Sequence, residues 1–311
     1  MDSIAKFEGK PIEKLIDTVT NAIGTLFEPW LKVRAAKAEA KSESIKAIEQ
    51  AKTEAIINQD IQRVEYLHTI ETRLVTKEVK RQKNIEEVIS NAKKILESEK
   101  EVSDKKVDPD WTTRFFNIVQ DVSNEDMQLL WGQILAGEVK QPKSYSLRTL
   151  ELLRNMTKEE AVLFQKVAQL NIRCSNDIFI FSSNDFLKKN GISYTEIAKL
   201  IEIGLLQSGD FVQETIKATN SGSDEIPLFY GNFLIRIRRN ANSPQLTIPI
   251  RLFSTPGEEL TKLVTITPNL EYVKELANTI RHEKVKIYFA KINNIDKNGV
   301  VNYDYKTMTE L

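Results

Sequence analysis

A single cysteine, Cys174, rules out an internal disulfide and a thiolate metal cluster. Its neighbours in NIRCSND supply no catalytic partner, so it reads as a small residue at the end of a helix. Histidine is nearly as scarce. His68 and His282, each among charged helical residues, are too few for a histidine metal site. No Gly-rich phosphate loop, Ser or Cys nucleophile with a histidine, or metal-ligand spacing is found, so no catalytic, cofactor or metal residue is assigned. No apolar run reaches the roughly 18–20 residues that span a bilayer, and the amino terminus lacks the order of a signal peptide, so the expected address is the cytoplasm. Nor is there an excess of one charge. The 44 Lys and Arg balance 44 Asp and Glu over 311 residues, which argues against a protein dominated by phosphate contacts and leaves local patches open.

Proline and glycine are absent from residues 31–100, where Ala, Glu, Lys, Gln and Ile dominate. Such a run is strongly helix-forming, and a continuous helix of this length would extend on the order of 100 Å at about 1.5 Å per residue. Ile45, Ile48, Ala55 and Ile56, then Leu67, Ile70 and Leu74, then Ile85, Val88, Ile89, Ala92, Ile95 and Leu96 form partial heptads, with a polar interruption from Thr76 to Asn84. Two readings stand. The preferred one is a coiled coil that makes the protein a homo-oligomer; the other is an antiparallel hairpin that turns back near Asn58 to Asp60. The charged face that includes Lys77, Lys80, Arg81 and Lys83 reads as solvated surface. Upstream, residues 11–31 place Ile12, Leu15, Ile16, Val19, Ile23, Leu26, Phe27 and Trp30 on one helical stripe, with Pro11 in its first turn and Pro29 kinking or ending it. Protein is the preferred cover for that stripe. A membrane surface is the alternative, disfavoured because Glu8, Glu13, Asp17 and Glu28 dilute the basic face.

After the polar linker SEKEVSDKKVDPD, residues 98–110, three short helices are expected. The first starts at Pro109 and Asp110 and buries Phe115, Phe116 and Val119. The second is capped by Ser123 and buries Met127, Leu130, Trp131, Ile134 and Leu135. Gly137 and Pro142 break it, and the third carries Leu147, Leu150 and Leu153. Trp111, Gln128, Trp131, Glu138 and Arg148 are the candidate polar network of this core. Glu138 and Arg148 read either as an ion pair closing the turn over Pro142 or as ligand contacts.

In these residues the chain resembles a known family. The DW and RFF that open the stretch, DVSNEDMQLLWGQILAGE, Pro142 and SLRTLELL resemble the bacterial family termed domain of unknown function 2806, over about residues 81–281. Lys143 stands where that pattern usually has glycine. The resemblance implies an association with mobile elements and anti-phage defence, and no mechanism. IGTLFEPWLKVRAAKAEA, near the amino terminus, is similar to the start of the abortive-infection alpha family.

Beyond Thr157, which with Glu160 forms a capping box, helix and strand signals alternate. A strand is expected at Ile178–Phe181, a helix from Ser183 to Lys189, and a second helix capped by Ser193 and Glu196 and stopped by Gly204. A hairpin turns at Gly231 and Asn232, a further strand covers Leu246 to Phe253, and a short helix begins at Thr255. Thr267 and Pro268 then cap a last substantial helix, followed by an edge strand from Lys284 to Ile292. That order matches a winged helix. Its recognition helix, SYTEIAKLIEIG, offers no Arg, Asn or Gln to read bases. Arg236, Arg238, Arg239 and Arg251 are the candidate phosphate or acidic-partner contacts, against the plainer reading of a charged strand edge.

The expected fold is mainly α with a smaller α+β part. Residues 1–103 form an oligomerisation arm, 104–156 a central helical core, 157–292 a winged-helix-like domain and 293–311 a loosely held tail. The expected function is non-enzymatic: an interaction protein of an anti-phage system, with an unidentified protein partner. A winged-helix nucleic-acid-binding regulator and a peripheral membrane effector are the alternatives.

Overall fold

The computed structural model of the chain describes residues 10–23, 47–57, 61–175, 177–209, 212–219, 222–296, 301–306 and 308–311. It is a mixed α+β protein in two compact units, Met1–Leu150 and Glu151–Leu311.

The first unit is helical. Helix α1 (Lys10–Ile23) buries Ile12, Leu15 and Val19 against α4 (Pro109–Val119) and α5 (Glu125–Lys140), so this part of the amino-terminal stripe is covered by the chain itself. The rest of that stripe, 24–31, lies outside the described residues. Helix α2 (47–57) precedes the 36-residue α3 (Ile61–Leu96). Lys52 on α2 pairs with Glu71 on α3, and Ala55 is buried. These contacts correspond to the hairpin alternative, with the turn at 58–60 itself outside the described residues.

Along α3 burial changes abruptly. Up to Lys83 every position is exposed or half-exposed; from Asn84 onward Ile85, Val88, Ile89, Ala92 and Leu96 are buried, packing on α5. Gly132 sets how closely α3 and α5 approach. A Cβ there would lie 2.6 Å from Asn91 Cβ and 3.2 Å from the Ala92 nitrogen and the Val88 carbonyl oxygen. A glycine in mid-helix is otherwise unfavourable, so its value lies in this backbone contact.

The polar segment before α4 is no free linker. The Ser103 N–H donates to the Lys140 carbonyl at 2.9 Å, Lys140 pairs with Glu99 at 2.7 Å, and Val107 is buried. The expected caps shift slightly. Asp108 caps α4, and Asn124, one residue past the expected Ser123, caps α5.

The second unit begins within α6 (Leu147–Asn155) and holds α7 (Lys158–Ala168), whose capping box pairs Thr157 with Glu160 as expected. A nine-stranded antiparallel sheet follows. Its strands are β1 (Asn171–Cys174), β2 (Asp177–Phe181), β3 (Gln213–Ile216), β4 (Asp224–Tyr230), β5 (Phe233–Arg239), β6 (Leu246–Leu252), β7 (Val285–Ile295), β8 (Val301–Tyr303) and β9 (Thr309–Glu310). The order is β3-β6-β2-β1-β4-β5-β7-β8, with β9 also on β7. Between the strands come α8 (Asn184–Lys189), α9 (Tyr194–Glu202) with its Ser193–Glu196 capping box, α10 (Thr255–Thr261) and α11 (Leu270–Thr279). Asn269, not Thr267 or Pro268, caps α11.

Tyr272 of α11 is the hub of this unit. Fully buried, its hydroxyl accepts from the Phe181 N–H at 2.6 Å and lies 3.0 Å from the Leu170 carbonyl oxygen. Burial pushes its phenol well above the usual range.

Several expectations need correction. The β4–β5 hairpin, with Gly231 at φ +60° in its turn, is interior to the sheet between β1 and β7, not a protruding wing. The edge strand expected at 284–292 is flanked on both sides, and the tail at 293–311 supplies β8 and β9 instead of hanging loose. Cys174 ends a strand, not a helix, and burial raises its thiol.

Replacing Gly132 with Ala is expected to cost about 1–3 kcal/mol by forcing α3 and α5 apart. Urea unfolding followed by tryptophan fluorescence checks this, because Trp111 and Trp131 both lie in the helical unit; an unchanged midpoint contradicts the close approach.

Candidate functional site

The family-like stretch folds into two polar anchors joined by an aromatic layer. The first ties the α4–α5 connection to α3. Asn84, 5% exposed, donates to the Gln120 carbonyl at 2.8 Å and reaches Ser123 Oγ at 3.3 Å. Gln128, 6% exposed, donates to Asn84 Oδ1 at 3.3 Å and to the Val122 carbonyl at 2.9 Å. Arg81 forks onto Asp121 at 2.8 and 2.9 Å, and that hydrogen-bonded carboxylate raises the guanidinium pKa. Arg81 is therefore not part of a solvated face. Each residue of QDVS, 120–123, supplies a group to this anchor. Buried amides are stable only when paired in this way.

The second anchor is Glu138, 1% exposed on the last turns of α5. Its Oε1 accepts the Lys143 N–H at 2.6 Å and its Oε2 the Tyr145 N–H at 3.0 Å, so one carboxylate closes the turn from 141 to 146. Trp111 Nε1 donates to the Tyr145 carbonyl at 2.8 Å and holds the same turn from α4. Gly137 makes room for it, since a Cβ there would lie 2.8 Å from the Tyr145 ring. Lys143, standing where the family pattern has glycine, has φ +73°. That left-handed backbone costs a non-glycine residue roughly 1–2 kcal/mol, which explains the glycine preference.

Between the anchors, Trp111 stacks on Phe115 at 5.0 Å, and Phe115 meets the fully buried Trp131 edge-on at 5.5 Å. Near the turn, Lys14 of α1 donates to the Ser103 carbonyl at 2.6 Å, and burial lowers its ammonium pKa against the pull of Asp104 and Glu138. Trp111 and Glu138 thus meet at one turn and Trp131 joins them through Phe115, whereas Gln128 belongs to the anchor at the other end of α5. Arg148 joins neither: it is exposed on α6, and Glu138 serves backbone N–H groups in its place. Asn84 is the member that sequence reasoning misses, because it closes a polar interruption in α3 and so resembles its solvated neighbours.

The arginines of the sheet are engaged by acids on the neighbouring strand. Arg236 and Arg238 share a face, as strand alternation requires, and both reach Glu225, Arg236 at 2.8 Å through Nε and Arg238 at 3.7 Å. The Arg236 guanidinium also lies 6.0 Å from the Tyr288 ring and 5.7 Å from that of Tyr303, and its bond to Glu225 raises its pKa. Arg239, 3% exposed, is gripped by Asp224 and donates to the Lys217 carbonyl at 2.6 Å. Arg251 approaches the Gly209 carbonyl at 3.4 Å beside a cleft of about 330 Å³ lined by Tyr194, Ile197 and Ile201. Among the described residues no group of three or more His, Cys, Asp or Glu is placed to hold a metal ion.

The site therefore defines a class first, a helical unit locked by buried polar side chains and followed by an antiparallel sheet unit. The chain belongs to the family described as protein of unknown function (DUF2806), which matches residues 68–277. Both polar anchors lie within that span, and of the residues beside the turn only Lys14 lies outside it. No curated protein and no solved structure matches the chain. The residues likened to the abortive-infection alpha family, 23–40, fall outside the family match and almost entirely outside the described residues.

Two substitutions separate the roles in the turn. Glu138→Gln replaces one acceptor with a donor facing an N–H and is expected to destabilise by about 1–3 kcal/mol. Lys143→Gly relieves the left-handed strain and is expected to stabilise by about 1 kcal/mol. Urea midpoints measure both, and a destabilising Lys143→Gly contradicts the strained turn.

Proposed function

We propose that this protein acts through protein contacts and not through bond-making, as a self-assembling cytoplasmic component of a bacterial anti-phage defence system. One observation carries the assembly part: the helical arm of α2 and α3 exposes large apolar side chains. Ile56, Ile57, Ile61, Tyr66 and Val79 are each more than 60% exposed, and Val75 is about half exposed. Ile61, Val75 and Val79 share one side of α3, and an exposed apolar stripe marks an interaction surface. The defence setting rests on the family resemblance in the signature stretch. In this reading the first unit assembles the protein and the sheet unit engages a protein partner.

The alternatives have less behind them. Nucleic-acid contact through the sheet unit would need free cations there, and Arg236, Arg238 and Arg239 are spent on Glu225 and Asp224. Membrane docking through the amino-terminal helix would need Ile12, Leu15 and Val19, which are buried. No helix among the described residues is long and apolar enough to cross a membrane.

Light scattering on the full chain at micromolar concentration tests the reading. A mass of two or more protomers is expected, falling to one in the Val75→Glu, Val79→Glu double variant with helical circular dichroism unchanged. A monomeric wild-type chain contradicts it.

A further inference from the structure

We infer that the outer face of α3 seats the α3 of a second copy of this chain, running antiparallel; this rests on the self-assembly reading above and names its partner and geometry. Ile61, Glu65, Thr72, Val75, Val79 and Lys83 recur at three- and four-residue steps, or at seven, so they line one side of the helix. All six are exposed, Ile61 at 72% and Val79 at 66%. This is a different face from the one that continues Leu67, Ile70 and Leu74 into the buried Ile85, Val88 and Ala92. The core has no use for it.

The charges decide the occupant and its direction. Within α3, residues 61–72 carry two acids, Glu65 and Glu71, and one base, Arg63, whereas residues 73–83 carry five bases and one acid. Of those bases Arg81 is committed, to Glu78 and Asp121; Arg73, Lys77, Lys80 and Lys83 have no acidic partner among the described residues. A parallel copy would stack the basic stretch on itself, a repulsive arrangement. An antiparallel copy instead lays the basic stretch of each chain along residues 61–72 of the other, where Glu65 is exposed on the outer face and Glu71 is shared with Lys52 of α2. Centred near Ile70, the pairing sets Ile61 opposite Val79 at both ends and places Glu65 within the partner's basic stretch. Each paired end lies nine residues from the centre, about 14 Å at the helical rise. A phosphate-bearing partner would suit the bases but would leave Ile61, Val75 and Val79 in water.

Cysteine cross-linking tests this in a Cys174→Ser background, with a short bis-maleimide and the full chain. Thr72→Cys, close to the symmetry axis, is expected to cross-link to itself. Val79→Cys alone is expected to remain single, and an equal mixture of Ile61→Cys and Val79→Cys is expected to yield the mixed dimer. Efficient self-cross-linking of Val79→Cys alone means a parallel pair, which overturns the inference while leaving self-assembly standing. Multimers by light scattering with no cross-link at any of these sites place assembly on another face, which likewise overturns the inference and spares self-assembly. Single protomers by light scattering remove both the inference and the reading beneath it. Binding of a monomeric chain to anionic vesicles or to DNA through Lys77, Lys80 and Lys83 overturns it in favour of a phosphate-bearing surface.

Discussion

A carboxylate taken out of water must find hydrogen bonds, and the helical unit is arranged around that demand at Glu138. Each of its oxygens takes an N–H group from the turn that follows its own helix, so satisfying the carboxylate closes the turn. Closing the turn forces Lys143 into a left-handed backbone and brings Tyr145 against Gly137, where no side chain can stand. Trp111 then reads the same turn from the other side, through the Tyr145 carbonyl. Loss of any one contact leaves a buried polar group in an apolar surrounding, so the residues of the signature act as a set.

The same logic recurs at the other end of α5, with amides in place of a carboxylate. Asn84 and Gln128 absorb the carbonyls of a tight connection that no regular ladder pairs. In the sheet unit a tyrosine does comparable work: Tyr272 bonds two backbone segments about 90 to 100 positions away in sequence. Polar side chains of this molecule are largely committed to its own fold. On the arm, apolar and basic residues face outward together, and this is why contact with other protein is the function proposed.

Legibility in the sequence follows how local each feature is. The capping boxes at Thr157 and Ser193, the buried faces of α4 and α5, and the Gly231–Asn232 turn are set within a few residues, and each is visible as spacing. The sheet is not. Its β1, β3, β8 and β9 are two to four residues long and take their identity from distant partners, so no periodicity announces them. A winged helix is the expectation only while a few strands and two helices are seen where nine strands exist. Gly132 and Asn84 are hidden for the opposite reason. Within a helix they look like a weak spot and a solvated position, and only neighbouring segments give them a purpose. Glu138 draws attention through its place beside Pro142, yet the partners through which it closes the turn are backbone groups, which no sequence displays.

Amide hydrogen exchange at Lys143 and Tyr145 tests most directly that the signature is a folding lock. If Glu138 holds both N–H groups inside the unit, they exchange only when the helical unit unfolds as a whole, at the rate of core amides such as those of Ile134 and Leu135. Exchange as fast as that of the exposed turn at Asn242 would mean that the carboxylate does not hold the turn, and the signature would then be no lock.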